Sequence, residues 1–225
     1  FIKENHSIIK GDILEAGVFN GRSILATGLL LKELGSSKQV FGYDCFSGFP
    51  PIYHHNDKLE RFDELFEKND ISERHYNQIK KLFSYTTFNH REKNKLTVKN
   101  ISTSGDFSNV SLDTLKKKID FLGLDNIHIV EGEFEKTMIN NHTKELDSIF
   151  CVLMDCDLYL SHLTTFKFIW PKINSGGYIY LDEYYSLKFA GARIATNEFL
   201  VDKDEKPKMH KKVDRDFERW GITKN

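Results

Sequence analysis

An alternation of strand-like and helix-like segments predicts an α/β fold: an open, mainly parallel twisted sheet with helices on both faces. Three observations carry this expectation. Phe150-Cys-Val-Leu-Met154 and Gly177-Tyr-Ile-Tyr-Leu181 are near-continuous apolar runs, the pattern of strands buried on both faces of a parallel sheet. One amphipathic helix, about Ser161 to Trp170, lies between them and is the length of a crossover connection. Carboxylates recur where such runs end, at Asp44, Glu131, Asp155 and Asp182, and ligands of open α/β sheets bind at that edge.

The remaining elements follow in chain order. Gly11 to Val18 is a strand entering a tight turn, and the helix after it, about Ser23 to Leu34, closes at Gly35. Val40 to Asp44 is the second strand. Asn56 to Leu82, charged with scattered aromatics, predicts one or two helices outside the sheet. Ser84 to Gly105 is polar and reads as an irregular cap or lid, so that 52–105 forms an insertion in one domain spanning 1–225. Ser111 N-caps a helix running to about Phe121 and ending at Gly123. Ile127 to Glu131 is the third strand, and Gly132 leads into a short helix through Met138. Gly191 to Leu200 is a further helix, and the tail 211–224 supplies one or two edge strands.

Composition excludes several classes. The 225 residues are 40% hydrophobic and 29% charged, enough apolar material for a full core. A net charge of −1 supplies no global field for nucleic acid or an anionic membrane. No apolar run reaches the length of a membrane span and no signal peptide is visible. The three cysteines, Cys45, Cys151 and Cys156, form no CxxC pair, which suits a reducing, cytoplasmic setting. None of the nine histidines forms a metal-spaced pair; His90 and His162 are expected to be surface or structural residues. The sequence starts at Phe1 rather than Met, which suggests a preceding segment.

Two sets of residues carry chemistry. If the strands ending at Asp155 and Asp182 are neighbours, Asp155, Asp182 and Glu183 converge as oxygen ligands for a hard cation such as Mg²⁺. Asp157 points toward the same cleft and can take a proton from a substrate hydroxyl. At the other strand ends, Glu15-x-Gly17-x-x-x-Gly21 sits between a strand and a helix, where glycines allow close ligand approach. An acid at the mouth of that loop disfavours a pyrophosphate and suits a cationic, ribose-bearing ligand such as S-adenosylmethionine, with Asp44 accepting from ribose hydroxyls. The cofactor is expected against Glu15, Ala16, Gly17, Gly21, Ser23, Asp44, Ser47, Glu131, Gly132 and Asp155.

Taken together, Gly11-Asp-Ile-Leu-Glu-Ala-Gly-Val18, Tyr43-Asp-Cys-Phe-Ser-Gly-Phe-Pro50, Met154-Asp-Cys-Asp-Leu-Tyr159, Gly176-Gly-Tyr-Ile-Tyr-Leu-Asp-Glu-Tyr184 and Gly191-Ala-Arg193 resemble the macrocin O-methyltransferase family. The resemblance implies a Rossmann-like class I methyltransferase fold that uses S-adenosylmethionine and Mg²⁺ on a sugar hydroxyl. It places Asp155, Asp182 and Glu183 on metal positions, Asp157 on the base, and Glu15, Gly17 and Asp44 on cofactor positions. Two departures stand out: Cys156 replaces a usual glycine, and Glu183 replaces the second acid of an Asp-Asp pair. The expected partner is a small-molecule or saccharide substrate, with neither nucleic acid nor membrane, and a homo-oligomer is compatible with the resemblance. A nicotinamide-dependent oxidoreductase predicts a phosphate-compatible loop and an acid–base pair that the sequence lacks. A non-catalytic carbohydrate-binding protein predicts no turnover at all.

Overall fold

A computed structural model describes residues 1–89, 95–139, 146–210 and 217–225. Seven strands form one sheet: β1 (Asp12–Ala16), β2 (Val40–Asp44), β3 (Ile127–Glu131), β4 (Ile149–Met154), β5 (Ile173–Leu181), β6 (Lys208–Met209) and β7 (Trp220–Thr223). Their spatial order is β3-β2-β1-β4-β5-β7-β6. The first five run parallel, and β7 pairs antiparallel with β5 and β6. Strand order reverses at β1, so β1 and β4 flank the switch point where such sheets open a crevice at their carboxyl ends. β4 and β5 are hydrogen-bonded neighbours with Met154 opposite Leu181, which sets Asp155 and Asp182 side by side as the sequence pattern requires.

Helices cover both faces: α1 (Ile2–Asn5), α2 (Arg22–Glu33), α3 (Arg61–Glu67), α4 (Glu73–Asn89), α5 (Leu112–Leu122), α6 (Phe134–Thr137), α7 (Tyr159–Ile169) and α8 (Ala190–Phe199). Alternation along β1 divides the core. Leu14 and Ala16 face a cluster with Val152, Met154, Phe166 and Ile179, while Ile13 faces Ile24, Leu31, Leu115 and Phe150. Ser111 caps α5 by accepting from the Thr114 N–H at 3.2 Å, and Gly123 ends it at φ 60°.

Two expectations change. The stretch from Ser84 is not irregular at its start, because α4 continues through Asn89; adding turns to an established helix costs less than nucleating one. The tail strand β7 lies inside the sheet between β5 and β6 rather than at its edge, while 211–216 falls outside the described residues. His162 takes the structural of its two expected roles: it is buried, and its ring nitrogen Nδ1 is 3.1 Å from the Leu158 carbonyl. His90 also lies outside the described residues. Among the described residues no helix is long and apolar enough to cross a membrane.

The insertion after β2 has its own cores. Phe62 and Leu65 of α3, Ile71 of the connection and Ile79 of α4 pack with Tyr159 of α7 and with Ala190, Ile194 and Ala195 of α8. Leu59, Val98 and Ile101 pack with Phe189, and Phe49, Tyr53 and Phe107 lie against them. Tyr159 and Phe189 each follow closely behind an acidic strand end, so the cap is seated on the segments that carry the candidate site.

Candidate active site

The glycine loop and the acidic strand ends meet directly. The Asp155 N–H donates to the Ala16 carbonyl at 2.9 Å, and a Cβ on Gly17 would lie 1.8 Å from the Asp155 carbonyl oxygen. Gly17 also has φ 89°, so both its backbone angle and its neighbour demand glycine. The cofactor candidates on β1 and the metal candidates after β4 therefore share one crevice.

Asp44, the last residue of β2, anchors this loop. Its Oδ2 accepts from the Val18 and Phe19 N–H groups, each at 2.8 Å, and Oδ1 accepts from the Phe46 N–H at 2.7 Å. The residue read from sequence as a ribose acceptor thus also fixes the loop that faces the ligand. Glu15 is 1% exposed, and its Oε1 accepts from the Ser23 hydroxyl at 2.6 Å and its carboxylate from the Ile24 backbone. The helix α2 begins at Gly21 (φ 81°), which has no side chain to cap it, so Glu15 supplies the acceptor from β1. Burial, and next the charge of Asp44, push the Glu15 carboxyl up to about 8. Glu131, opposite Asp44 in the sheet register, is exposed, as is Ser47; Gly132 (φ 144°) donates its N–H to the Asp44 carbonyl at 2.9 Å.

The acidic cluster lies next to this loop. Oxygens of Asp155, Asp157 and Glu183 all fall within 4.8 Å of one another, and Asp182, exposed at the rim, shares a side-chain hydrogen bond with Asp155. The proposed base and two of the three metal candidates therefore form one group. These oxygens are close enough for Asp155 and Glu183 to share one cation with Asp157 beside it. The donor set is all carboxylate, the chemistry of a hard cation. Burial, and then mutual repulsion, hold Asp155 and Asp157 well above the usual carboxylate range and raise Glu183 to about 7. The charge of Lys188 pulls Asp157 and Glu183 the other way. A cation would remove the repulsion that these groups now bear.

Asp157 is also strained. Its φ is 57°, and the Leu158 N–H reaches back to the Cys156 carbonyl at 2.5 Å, closing a three-residue turn centred on the acid. Such γ-turns are rare, and non-glycine residues held there cluster at functional sites. Phe19, Phe46 and Phe107 share positive φ, at 47°, 51° and 61°, and all belong to segments around the crevice. An aromatic chain crosses it, from Phe19 to Phe107 (5.3 Å), Phe107 to Phe49 (5.1 Å) and Phe49 to Phe189 (5.8 Å between ring centroids). Gly48 makes this approach possible: at φ 80°, its Cβ position lies 2.6 Å from the Asp106 carbonyl.

Sequence comparison matches the family model for macrocin-O-methyltransferase (TylF) over residues 85–220, which contain all four clustered acids. The chain belongs to the macrocin-O-methyltransferase family. Membership of the macrocin-O-methyltransferases places it among the O-methyltransferases. Demethyldecarbamoylnovobiocin O-methyltransferase of Streptomyces niveus is 26% identical over 96% of this chain and 68% of its own length. Mycinamicin III 3''-O-methyltransferase of Micromonospora griseorubida is 23% identical over 78% of this chain and 56% of its own length. The chain thus spans between about half and two thirds of these relatives. The solved structure of the O-methyltransferase NovP superposes with a TM-score of 0.67 at 19% identity, covering 99% of this chain and 77% of the other, and it shares the α/β fold.

Four residues that the sequence reading passed over support this site: Asp57, His75, Ser186 and Lys188. Ser186 bonds the Glu183 carboxylate, and its Oγ accepts from the Lys188 and Phe189 N–H groups at 3.0 and 2.8 Å. The only sequence signal for Asp57 was indirect. A Cβ on Gly191 would lie 2.0 Å from Asp57 Oδ1, which accounts for the glycine of the Gly191-Ala-Arg193 motif.

Proposed function

We propose that this protein transfers the methyl group of S-adenosylmethionine to a sugar hydroxyl, with Mg²⁺ at the carboxylate cluster. The observation that supports this most is the juxtaposition of that cluster with the Gly17 loop, an arrangement that suits a cationic cofactor beside a metal-held acceptor. A relative named as the 4'-O-methyltransferase of a rhamnosyl-bearing tetracenomycin supports the acceptor class.

In this reading Asp155, Asp182 and Glu183 hold the cation, and Asp157 takes the acceptor proton. When bound, Mg²⁺ lowers the pKa of the acceptor hydroxyl and fixes its oxygen. The chain's own residues do the rest. Asp44 holds the loop that positions the cofactor, and the turn after β4 sets Asp157 beside the cluster, where its ionised carboxylate takes the proton. The Phe19–Phe107–Phe49–Phe189 chain excludes water from the crevice. In-line placement of oxygen and methyl then supplies much of the rate.

Turnover of S-adenosylmethionine with a panel of nucleotide sugars and glycosides, with and without Mg²⁺, tests the activity; flat turnover across all acceptors contradicts it. Calorimetry on Asp157→Asn and Asp182→Asn separates the roles. Asp157→Asn is expected to keep cation affinity within a few-fold while losing about 10² or more in kcat. Loss of cation binding in that variant instead makes Asp157 a ligand.

A further inference from the structure

The cap is tied at two points to the segments that bear the cluster's acids. On one side, α7 begins two residues beyond Asp157, and its first residue lacks a capping side chain from its own segment. Asp57, 2% exposed, supplies the cap across 102 residues: its Oδ1 accepts from the Tyr159 N–H at 2.7 Å. Gly191 leaves the room for that carboxylate, and the Tyr159 side chain packs in the α3–α4 core. On the other side, His75 of α4, also 2% exposed, places Nε2 2.7 Å from the Ser186 carbonyl. Its ring stacks on Tyr185 at 3.9 Å, and the Tyr185 hydroxyl donates to Gln78 one turn further along α4. Arg193 adds a tie, donating to the carbonyls of Tyr184 and of Asp70 in the cap.

We propose that Asp57 and His75 are positioning residues for the cation site: the cap sets the separation of Asp157 from Glu183 by holding Tyr159 and Ser186. Neither residue touches the cluster. Asp57 acts through the backbone that leaves the strained Asp157 turn, and His75 acts through Ser186, whose side chain bonds the Glu183 carboxylate. Residues that orient the ligands of a metal typically change its affinity by about 10- to 100-fold when removed. The consequence is linkage: whatever orders the cap, the acceptor above all, also tightens the cation, and the cation in turn orders the cap.

This inference rests on the cation site proposed above, so wild-type protein is titrated first with Mn²⁺ and with S-adenosylhomocysteine by calorimetry. Wild type that binds no Mn²⁺ removes the cation site itself, and the positioning roles with it. Given binding, His75→Leu and Asp57→Ala are each expected to weaken Mn²⁺ about tenfold or more and leave S-adenosylhomocysteine affinity within about twofold. His75→Gln and Asp57→Asn, which keep a donor toward Ser186 and an acceptor toward Tyr159, are expected to restore most of the loss. Folded deletion variants with wild-type Mn²⁺ affinity overturn the proposal, as do equal losses of Mn²⁺ and S-adenosylhomocysteine. Should a deletion variant fail to fold, Ser186→Ala decides: a tenfold loss supports the clamp and an unchanged affinity overturns it.

Discussion

Replacing Glu183 by Gln should make the cation-free protein more stable and the cation-loaded protein less so. Like charges 4.8 Å apart at an effective dielectric constant of 20 repel by about 3.5 kcal/mol, and Glu183 faces both Asp155 and Asp157 at that range. Burial already raises Glu183 to about 7 and holds both aspartates well up, so part of this repulsion is relieved by protonation. At pH 8 the relief on neutralising Glu183 should then be about 1–2 kcal/mol, or about 2–8 °C in Tm for a chain of this size. Saturating the wild type with Mn²⁺ at a hundred times its Kd adds about 2.7 kcal/mol, whereas a variant without that ligand gains little. Differential scanning calorimetry at pH 8 with EDTA and then with Mn²⁺ should show the two proteins exchange rank. A variant less stable than wild type in EDTA, or one that gains as much from Mn²⁺, would refute the reasoning.

Other expectations follow from single contacts. Gly191→Ala drives a Cβ to within 2.0 Å of Asp57 Oδ1 and 2.9 Å of Tyr159, so a loss of about 1–3 kcal/mol is expected in urea unfolding. Asp44→Ala frees three backbone donors of the glycine loop, and S-adenosylhomocysteine affinity should fall about tenfold or more while Mn²⁺ affinity is retained. The stability of the cation-free protein should depend on pH through two opposing sets of buried groups. Glu15 is raised to about 8 and Asp57 to about 6, so the folded state holds protons that the unfolded state has released, and stability rises as pH falls from about 8. Burial lowers His75 and His162 to about 4, so stability is lost as pH falls from about 6.5 toward 4, where only the unfolded state charges them. Between about pH 6.5 and 8 the histidines are neutral in both states and only the raised acids, Glu15 and Glu183 among them, contribute, so urea midpoints of the cation-free protein should fall as pH rises across that interval; a rise to pH 8 would contradict these assignments.

Much of the sheet and both halves of the crevice were legible because buried parallel strands leave apolar runs and the acids stand where those runs stop. Asp155, Asp157 and Glu183 came together for that reason alone: β4 and β5 are neighbours in register. Burial was less legible. Glu15 looked like an open ligand contact from its place in the loop, but it is buried against Ser23 because the helix after a glycine N-cap needs an acceptor. The turn at Asp157 was hidden because positive φ is signalled by glycine and seldom by an acid. Asp57 and His75 reach partners 102 and 111 positions away, and neither sits in a periodic pattern that points there. Only the glycine at 191, kept free of a side chain by Asp57, left a trace in the sequence.

The most direct test of the cation-dependent methyl-transfer site is anomalous diffraction from crystals soaked with Mn²⁺ and S-adenosylhomocysteine. One strong peak bonded by Asp155, Asp182 and Glu183 is expected, beside a cofactor lying along Gly17 and Asp44. Full cofactor density with no peak among these carboxylates at saturating Mn²⁺ would contradict it.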